Sequence, residues 1–188
     1  MKEGVRHILI SGLPGCGKTT LVQNVARRLK EAGVPLFGFW TEEVRQRGRR
    51  LGFAIELVGG ARGTLAREGL REGPKVSRYR VDVKAFEALV LPELQRALDC
   101  AAPAVLMIDE IGKMELFSGE FERLVTTVLD SQLTVVATIM SRPNPFADAV
   151  KARADVKEIT LTRTNRECVL ACILGILLRK ESRPERRT

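Results

Sequence analysis

Residues 12–19 read GLPGCGKT, and a second threonine, Thr20, follows. The spacing G-x-x-x-x-G-K-[ST] describes a loop that wraps its backbone around phosphate. Gly12, Gly15 and Gly17 permit a tight turn in which successive N–H groups point inward at an anion. Leu13, Pro14 and Cys16 fill the variable positions. Lys18 carries a cation long enough to reach the β- and γ-phosphates of a nucleotide, and Thr19 offers a hydroxyl to a magnesium ion. Gly12 to Thr20 are therefore candidate phosphate-binding residues, and Thr19 is a candidate metal ligand.

A second constellation lies at Asp109-Glu110, directly after the apolar run Ala104-Val105-Leu106-Met107-Ile108. Such a run suits a strand buried on both faces, and acids at the carboxyl end of a parallel strand sit at the ligand-binding edge. Asp109 can hold magnesium directly or through water. Glu110 can orient and deprotonate an attacking water. Thr138, at the end of the next apolar run, can sense the γ-phosphate, hold that water, or simply end a strand. Lys113, or one of Arg45, Arg49 and Arg50, can neutralise charge on a transferring phosphoryl group; a solvated surface place is the more usual reading for any one of them. Trp40 can stack on a base or pack in the core.

These groups need a strand before the loop and a helix after it. His7–Ser11 supplies the strand. Leu21, Val22, Val25, Ala26 and Leu29 recur at helical spacing, and Gly33 and Pro35 stop the helix. Further strands are expected at 36–41, 104–108, 133–138 and 156–161, and helices at 84–100, 117–131 and around 146–152. Pro92 kinks the first of these helices or begins another there. Thr164 and Glu167 form a capping-box pattern that opens a last helix. Asn165 and Arg166 precede that helix, where bases often sit in phosphate-loop folds, although capping explains the position equally well. Between about 44 and 82, short glycine-broken segments predict strands near 50–58, 63–66 and 79–83. The expected fold is a single α/β domain over 1–180. It has a mostly parallel central sheet flanked by helices and a small antiparallel insertion at 44–82. A basic, disordered tail follows at 181–188.

Length and composition agree with one globular domain: 188 residues, 45% hydrophobic and 29% charged. No apolar stretch is long enough to cross a bilayer. The amino terminus has no secretory apolar segment, so a cytoplasmic location is the expectation. Cys16, Cys100, Cys168 and Cys172 form no C-x-x-C, and His7 is the only histidine, so no cysteine–histidine metal site is indicated. Cys168 and Cys172, one turn apart, can pair chemically or serve as small apolar residues of a helix face; Cys16 can be a reactive thiol in an electropositive loop or merely fit there. A net charge of +8 favours anionic ligands, nucleic acid among them, although the tail carries part of the excess.

GLPGCGKTT, GFWTEEVR, GRRLGF, DEIGKMEL and TRTNRE together resemble the nucleoside-triphosphatase family that includes the human cancer-related nucleoside-triphosphatase and thermophilic nucleoside-triphosphate phosphatases. The resemblance runs from about residue 5 to 178. It implies a phosphate-loop fold with an extra central strand and a catalytic glutamate. It further implies magnesium-dependent hydrolysis of ATP, GTP and other nucleoside triphosphates to the diphosphate and phosphate. Carried over by position, nucleotide binding falls on Gly12–Thr19 and on Val105, Leu106, Met107, Ile108, Asp109, Glu110, Ile111 and Gly112. Glu110 stands where the family has its catalytic acid, and Lys113 where animal members also have lysine. Trp40 replaces the usual tyrosine, and ATIM at 137–140 replaces a GTIP-like ending. Lys18 and Lys113 join Glu110 as catalytic candidates, and Thr19 and Asp109 are the metal candidates. The expected partner is a nucleoside triphosphate, with no membrane and a monomer as the default. A nucleotide or polynucleotide kinase, or a nucleotide-gated RNA-associated module, would use the same loop.

Overall fold

The computed structural model describes residues 4–181. The tail expected at 181–188 lies outside them, save Glu181, which ends the last helix. Strands and helices follow in the order β1 (His7–Ser11), α1 (Lys18–Glu31), β2 (Leu36–Gln46), β3 (Arg49–Leu57), β4 (Arg62–Arg67), β5 (Lys75–Val76), β6 (Tyr79–Val81), α2 (Val83–Leu98), β7 (Val105–Ile111), α3 (Gly119–Asp130), β8 (Thr134–Ile139), α4 (Pro145–Lys151), β9 (Val156–Thr160) and α5 (Arg166–Glu181). A 3-10 turn at Glu115–Phe117 links β7 to α3.

All nine strands form one sheet, in the order β5-β6-β4-β3-β2-β7-β8-β1-β9. Neighbours from β2 to β9 pair in parallel, whereas β3, β4, β6 and β5 are added antiparallel. The expectation of a mostly parallel sheet with a small antiparallel insertion is thus corrected to one mixed sheet to which the insertion adds its strands. The cause is the length of β2. It runs on to Gln46, past the last residue that pairs with β7, and β3 pairs with it from Phe39 onward. The insertion therefore continues the sheet sideways instead of stacking on it. Gly38 makes the departure feasible: its φ is +110°, and a Cβ there would lie 1.9 Å from the Met107 carbonyl oxygen. Its N–H donates to the buried Glu93 carboxylate on α2 at 3.1 Å, so the kinked strand is tied to the helix above it.

Alternation explains why the parallel strands read as unbroken apolar runs. Leu106 and Ile108 face α2 and α3, while Val105 and Met107 face α1 and α5. Phe39, Phe86 and Phe121 meet edge-to-face at centroid distances of 5.1 to 6.1 Å and knit β2, α2 and α3 together. Each such pair adds about 0.5–1.5 kcal/mol beyond its buried area. The ion pairs of the antiparallel wing, such as Arg45–Glu43 and Arg62–Glu42, are solvent-exposed and worth about 0–1 kcal/mol each. Burial of Ile55, Leu65, Tyr79 and Val81 is what holds the wing.

Two local expectations sharpen. Helix α2 is continuous through Pro92, so no second helix begins there. The Thr164/Glu167 box does not form. Instead Asn165 accepts from the Thr162 N–H at 2.8 Å and donates to the Thr160 carbonyl at 3.0 Å, and the first helical bond runs from Val169 N–H to the Asn165 carbonyl. Cys168 and Cys172 are exposed and unpaired, not part of the apolar face of α5.

His7 is fully buried. Its Nδ1 accepts from the Val135 N–H at 3.2 Å, and its Nε2 donates to the Leu129 carbonyl at 3.1 Å, which requires the neutral ring. Burial lowers its pKa from 6.5 to about 4, and the Asp155 carboxylate at 3.6 Å opposes this without prevailing. A folded-state pKa below the unfolded one means that stability is intact above pH 6.5 and is lost as pH falls toward 4. His7→Gln should lower the unfolding midpoint at pH 7 yet show a smaller drop between pH 6.5 and 4. Parallel midpoint curves for the two proteins would remove His7 from that transition.

Candidate functional site

Strand β1 aims residues 12–17 at the carboxyl edge of the sheet. Gly12, Gly15 and Gly17 all have positive φ, at 152°, 73° and 101°. Gly17 caps α1 without any side-chain bond, and the first turn of α1 has no acid. The first N–H groups of that helix are thus left to an anion. Lys18 folds back, its Nζ donating to the Gly12 carbonyl at 3.1 Å. Leu13, Pro14, Gly15 and Thr20 are exposed at the rim, whereas Cys16 is buried in the core between Gly12 and α1. Cys16 therefore packs and is not an accessible thiol.

Asp109 meets this loop from two strands away, with β8 lying between β7 and β1. Its carboxylate is 2% exposed. Oδ1 accepts from the Thr138 hydroxyl at 2.7 Å, while Oδ2 is buried with no hydrogen-bond partner among the described residues. Burial pushes the Asp109 pKa up, and the Thr19 and Thr138 hydroxyls, the Lys18 ammonium and the Thr41 amide act against it. The sheet register shifts between Ile108 and Ile111, directly around the acid pair. Glu110 is partly buried beside Asp109; its pKa is also raised, first by burial, with Lys18 opposing and Asp109 adding to the shift.

An orphaned carboxylate oxygen facing a threonine hydroxyl is a setting that magnesium fits, because this ion takes few protein ligands and shares the rest with water and phosphate. No group of three or more His, Cys, Asp or Glu side chains gathers around a metal position among the described residues.

Other candidates fall outside this cluster. Val105, Leu106, Met107 and Ile108 are buried strand interior, so only the end of β7 is open to a ligand. Ile111 is buried at the end of β7, Gly112 is buried in the turn beyond it, and Lys113 is exposed on that turn. Thr138 is fully buried and is engaged with Asp109, which fixes the carboxylate. Arg45 and Arg50 share Glu43, Arg50 also donates to the Tyr79 hydroxyl, and Arg49 pairs with Glu68. Trp40 packs against the α1-side core and donates to Glu56 at 3.3 Å.

Two further residues stand near the site: Arg166, noted in the sequence only at a position where bases often sit, and Glu115, which the sequence did not single out. Arg166 donates to the Cys16 carbonyl at 2.8 Å. Glu115 is 4% exposed, and its Oε2 lies 3.1 Å from where a Gly112 Cβ would stand, a point also 3.2–3.3 Å from Glu110 carbons. Two carboxyl groups thus crowd one glycine. The only sequence hint was an acid set among Met114, Leu116 and Phe117.

A family model described as NTPase matches residues 7–174. The chain belongs to this NTPase family. It is 41% identical over 181 residues to the human cancer-related nucleoside-triphosphatase, covering 90% of this chain and 95% of that one. It is 42% identical over 170 residues to the nucleoside-triphosphatase THEP1 of Thermotoga sp. (strain RQ2), covering 90% and 94%. The crystal structure of THEP1 from Aquifex aeolicus superposes with a TM-score of 0.82 at 39% identity, covering 91% of this chain and 98% of that one. The solution structure of a human cancer-related nucleoside triphosphatase gives the same TM-score at 41% identity, covering 96% and 100%. The family read from the motifs is the family that the whole chain matches, and its members share this fold.

Within this NTPase fold, burial raises the Glu115 pKa from 4.5 to about 8, with Glu110 and Asp109 adding to the shift and the Glu115 and Gly112 amides opposing it. A raised folded-state pKa of an acid supplies stability below pH 4.5 that is lost as pH rises toward 8. Glu115→Gln, which imitates the protonated acid, should therefore raise the unfolding midpoint near pH 8.5 and leave it almost unchanged near pH 4.5. A gain that is equal at both pH values would show that titration of Glu115 is not its source.

Proposed function

We propose that this chain hydrolyses nucleoside triphosphates to the diphosphate and phosphate, with Glu110 as the base that activates water. The observation that carries the reading is the placement of Asp109 and Glu110. A buried carboxylate oxygen without a partner and a second, partly buried carboxylate stand together at the sheet edge that the phosphate loop crowns. Names of relatives at about 41% identity add to it.

Each residue has a task set by its place. Gly12–Thr19 enclose the phosphate chain with backbone N–H groups, and Lys18 exchanges its bond to the Gly12 carbonyl for the β- and γ-oxygens. Thr19 and Asp109 would hold magnesium, and Thr138 keeps the Asp109 carboxylate turned toward them. When bound, the ion supplies charge neutralisation on the β- and γ-phosphoryl oxygens. Glu110 accepts a proton from the attacking water. Its upward-shifted pKa suits that work, since a base is most effective when its pKa lies near the operating pH. Lys113, exposed one residue past Gly112, would be the basic residue to neutralise charge developing at that end. The site described so far grips phosphates, which supports broad base tolerance. A cytoplasmic setting, in which the free thiols stay reduced, belongs to the same proposal.

Glu110→Gln should keep nucleotide affinity within about threefold, because the amide preserves shape, while turnover falls by a factor on the order of 10²–10⁴, the usual worth of a general base. Acceptor-free phosphate release and a calorimetric Kd measure the two. Undiminished release by Glu110→Gln would sink its role. In the parent protein, the acid limb of kcat/KM should lie above the ordinary glutamate value of 4.5, because the free base must be deprotonated and its pKa is raised. Lys18→Ala should weaken binding and turnover together.

A further inference from the structure

The phosphate loop does not stand alone. The segment joining β9 to α5 packs against it. Leu161 N–H donates to the Ser11 carbonyl at 2.7 Å. Gly12 packs so closely on the same residue that a Cβ would lie 2.5 Å from the Leu161 carbonyl oxygen. The Asn165 amide locks the turn at Thr160–Thr162 by two hydrogen bonds and so fixes the first residue of α5, Arg166. Arg166 Nε then donates to the Cys16 carbonyl, and its guanidinium carbon comes within 3.1 Å of where a Gly17 Cβ would be. The planar group is laid across the cap of α1, the end whose N–H groups carry no side-chain partner.

Arginine has five N–H donors. Cys16 takes one, and no carboxylate pairs with Arg166 among the described residues. Many other arginines of the chain are committed: Arg45, Arg49, Arg50, Arg62, Arg78, Arg96, Arg123 and Arg153 all meet an acid. An oriented cation with open donors, pinned beside a phosphate cradle, has a defined ligand chemistry. Guanidinium matches phosphate oxygens in geometry as well as charge.

We propose that Arg166 is a further phosphate-contacting residue of the site: Nε clamps the loop through Cys16, and the remaining N–H groups take the phosphate chain that the loop encloses. The inference rests on the reading of Gly12–Thr19 as a phosphate loop. Its ligand class is the polyphosphate moiety itself, whichever base is attached. Loop bracing and charge contact predict opposite outcomes for two substitutions. Arg166→Lys keeps the charge and gives up the fixed fork. Arg166→Gln keeps a donor for the Cys16 carbonyl and gives up the charge.

The test is calorimetric binding of inorganic triphosphate, with magnesium, to the full chain and to both variants. Each is measured well below its own unfolding midpoint, so that loss of fold is not read as loss of contact. Charged hydrogen bonds of this kind are worth enough to change affinity by about tenfold or more. The expected result is that Arg166→Lys binds triphosphate at least about fivefold more tightly than Arg166→Gln, and that KM for ATP follows the same order while kcat moves less. Equal affinities, or Gln binding better than Lys, would overturn the contact and leave a brace only. A loss seen with ATP but not with inorganic triphosphate would place Arg166 on the nucleoside and overturn it too. Lys18→Ala run alongside separates the two layers: if it also leaves triphosphate affinity unchanged, the phosphate-loop reading itself fails.

Discussion

Everything at the sheet edge follows from one carboxylate withdrawn from water. Asp109 is nearly fully buried and one of its oxygens has no hydrogen-bond partner, an arrangement that costs on the order of 1–3 kcal/mol or more for a charged group. A fold keeps such a defect only if something repays it. Thr138 satisfies the first oxygen and leaves the second facing Thr19 and Lys18. The apolar walls of β7 and β8 that bury Asp109 are also what give the two strands their place in the core. The burial that builds the core is thus also what leaves the Asp109 carboxylate short of a partner among the described residues.

The phosphate loop was legible because its chemistry is local. Three glycines at fixed spacing, a lysine and a threonine lie within one octapeptide, and the glycines are needed for a backbone reason that the structure repeats in their positive φ values. Asp109 and Glu110 were legible because acids ending an apolar run have few other places to sit. Glu115 was not. Its burial depends on how a short 3-10 turn folds back over Gly112, which no periodicity encodes. Arg166 was visible only as a residue near a helix start; its contact with Cys16 spans 150 positions of chain. Thr164 and Glu167 carried the right pattern for a cap, but Asn165 makes two bonds to the preceding turn and displaces it.

The sheet teaches a similar lesson. The short segments between 44 and 82 were recognisable as strands, and β5, two residues long, was the one left out. What those segments do with the rest of the molecule depended on β2. A strand that stays in register with β7 for four residues and then continues with β3 alone is a tertiary decision, made where Gly38 lets the backbone approach Met107 and Glu93 receives its amide. Arg50 and Arg62 find acids on β2, Arg49 finds Glu68 just past β4 and Arg45 finds Glu43 on its own strand, so these charges are spent within the wing.

The position of β8 has a consequence of its own. Neighbouring strands are about 4.8 Å apart, so placing one strand between β7 and β1 sets the acid and the loop roughly 10 Å from each other at their roots. Were the two strands adjacent, Asp109 and Lys18 would meet directly and cancel as an ion pair. With one strand as a spacer, the two form no ion pair among the described residues, although the Lys18 charge still acts to lower the Asp109 pKa. The sheet order is in that sense a gauge block: it measures the guest before any side chain touches it.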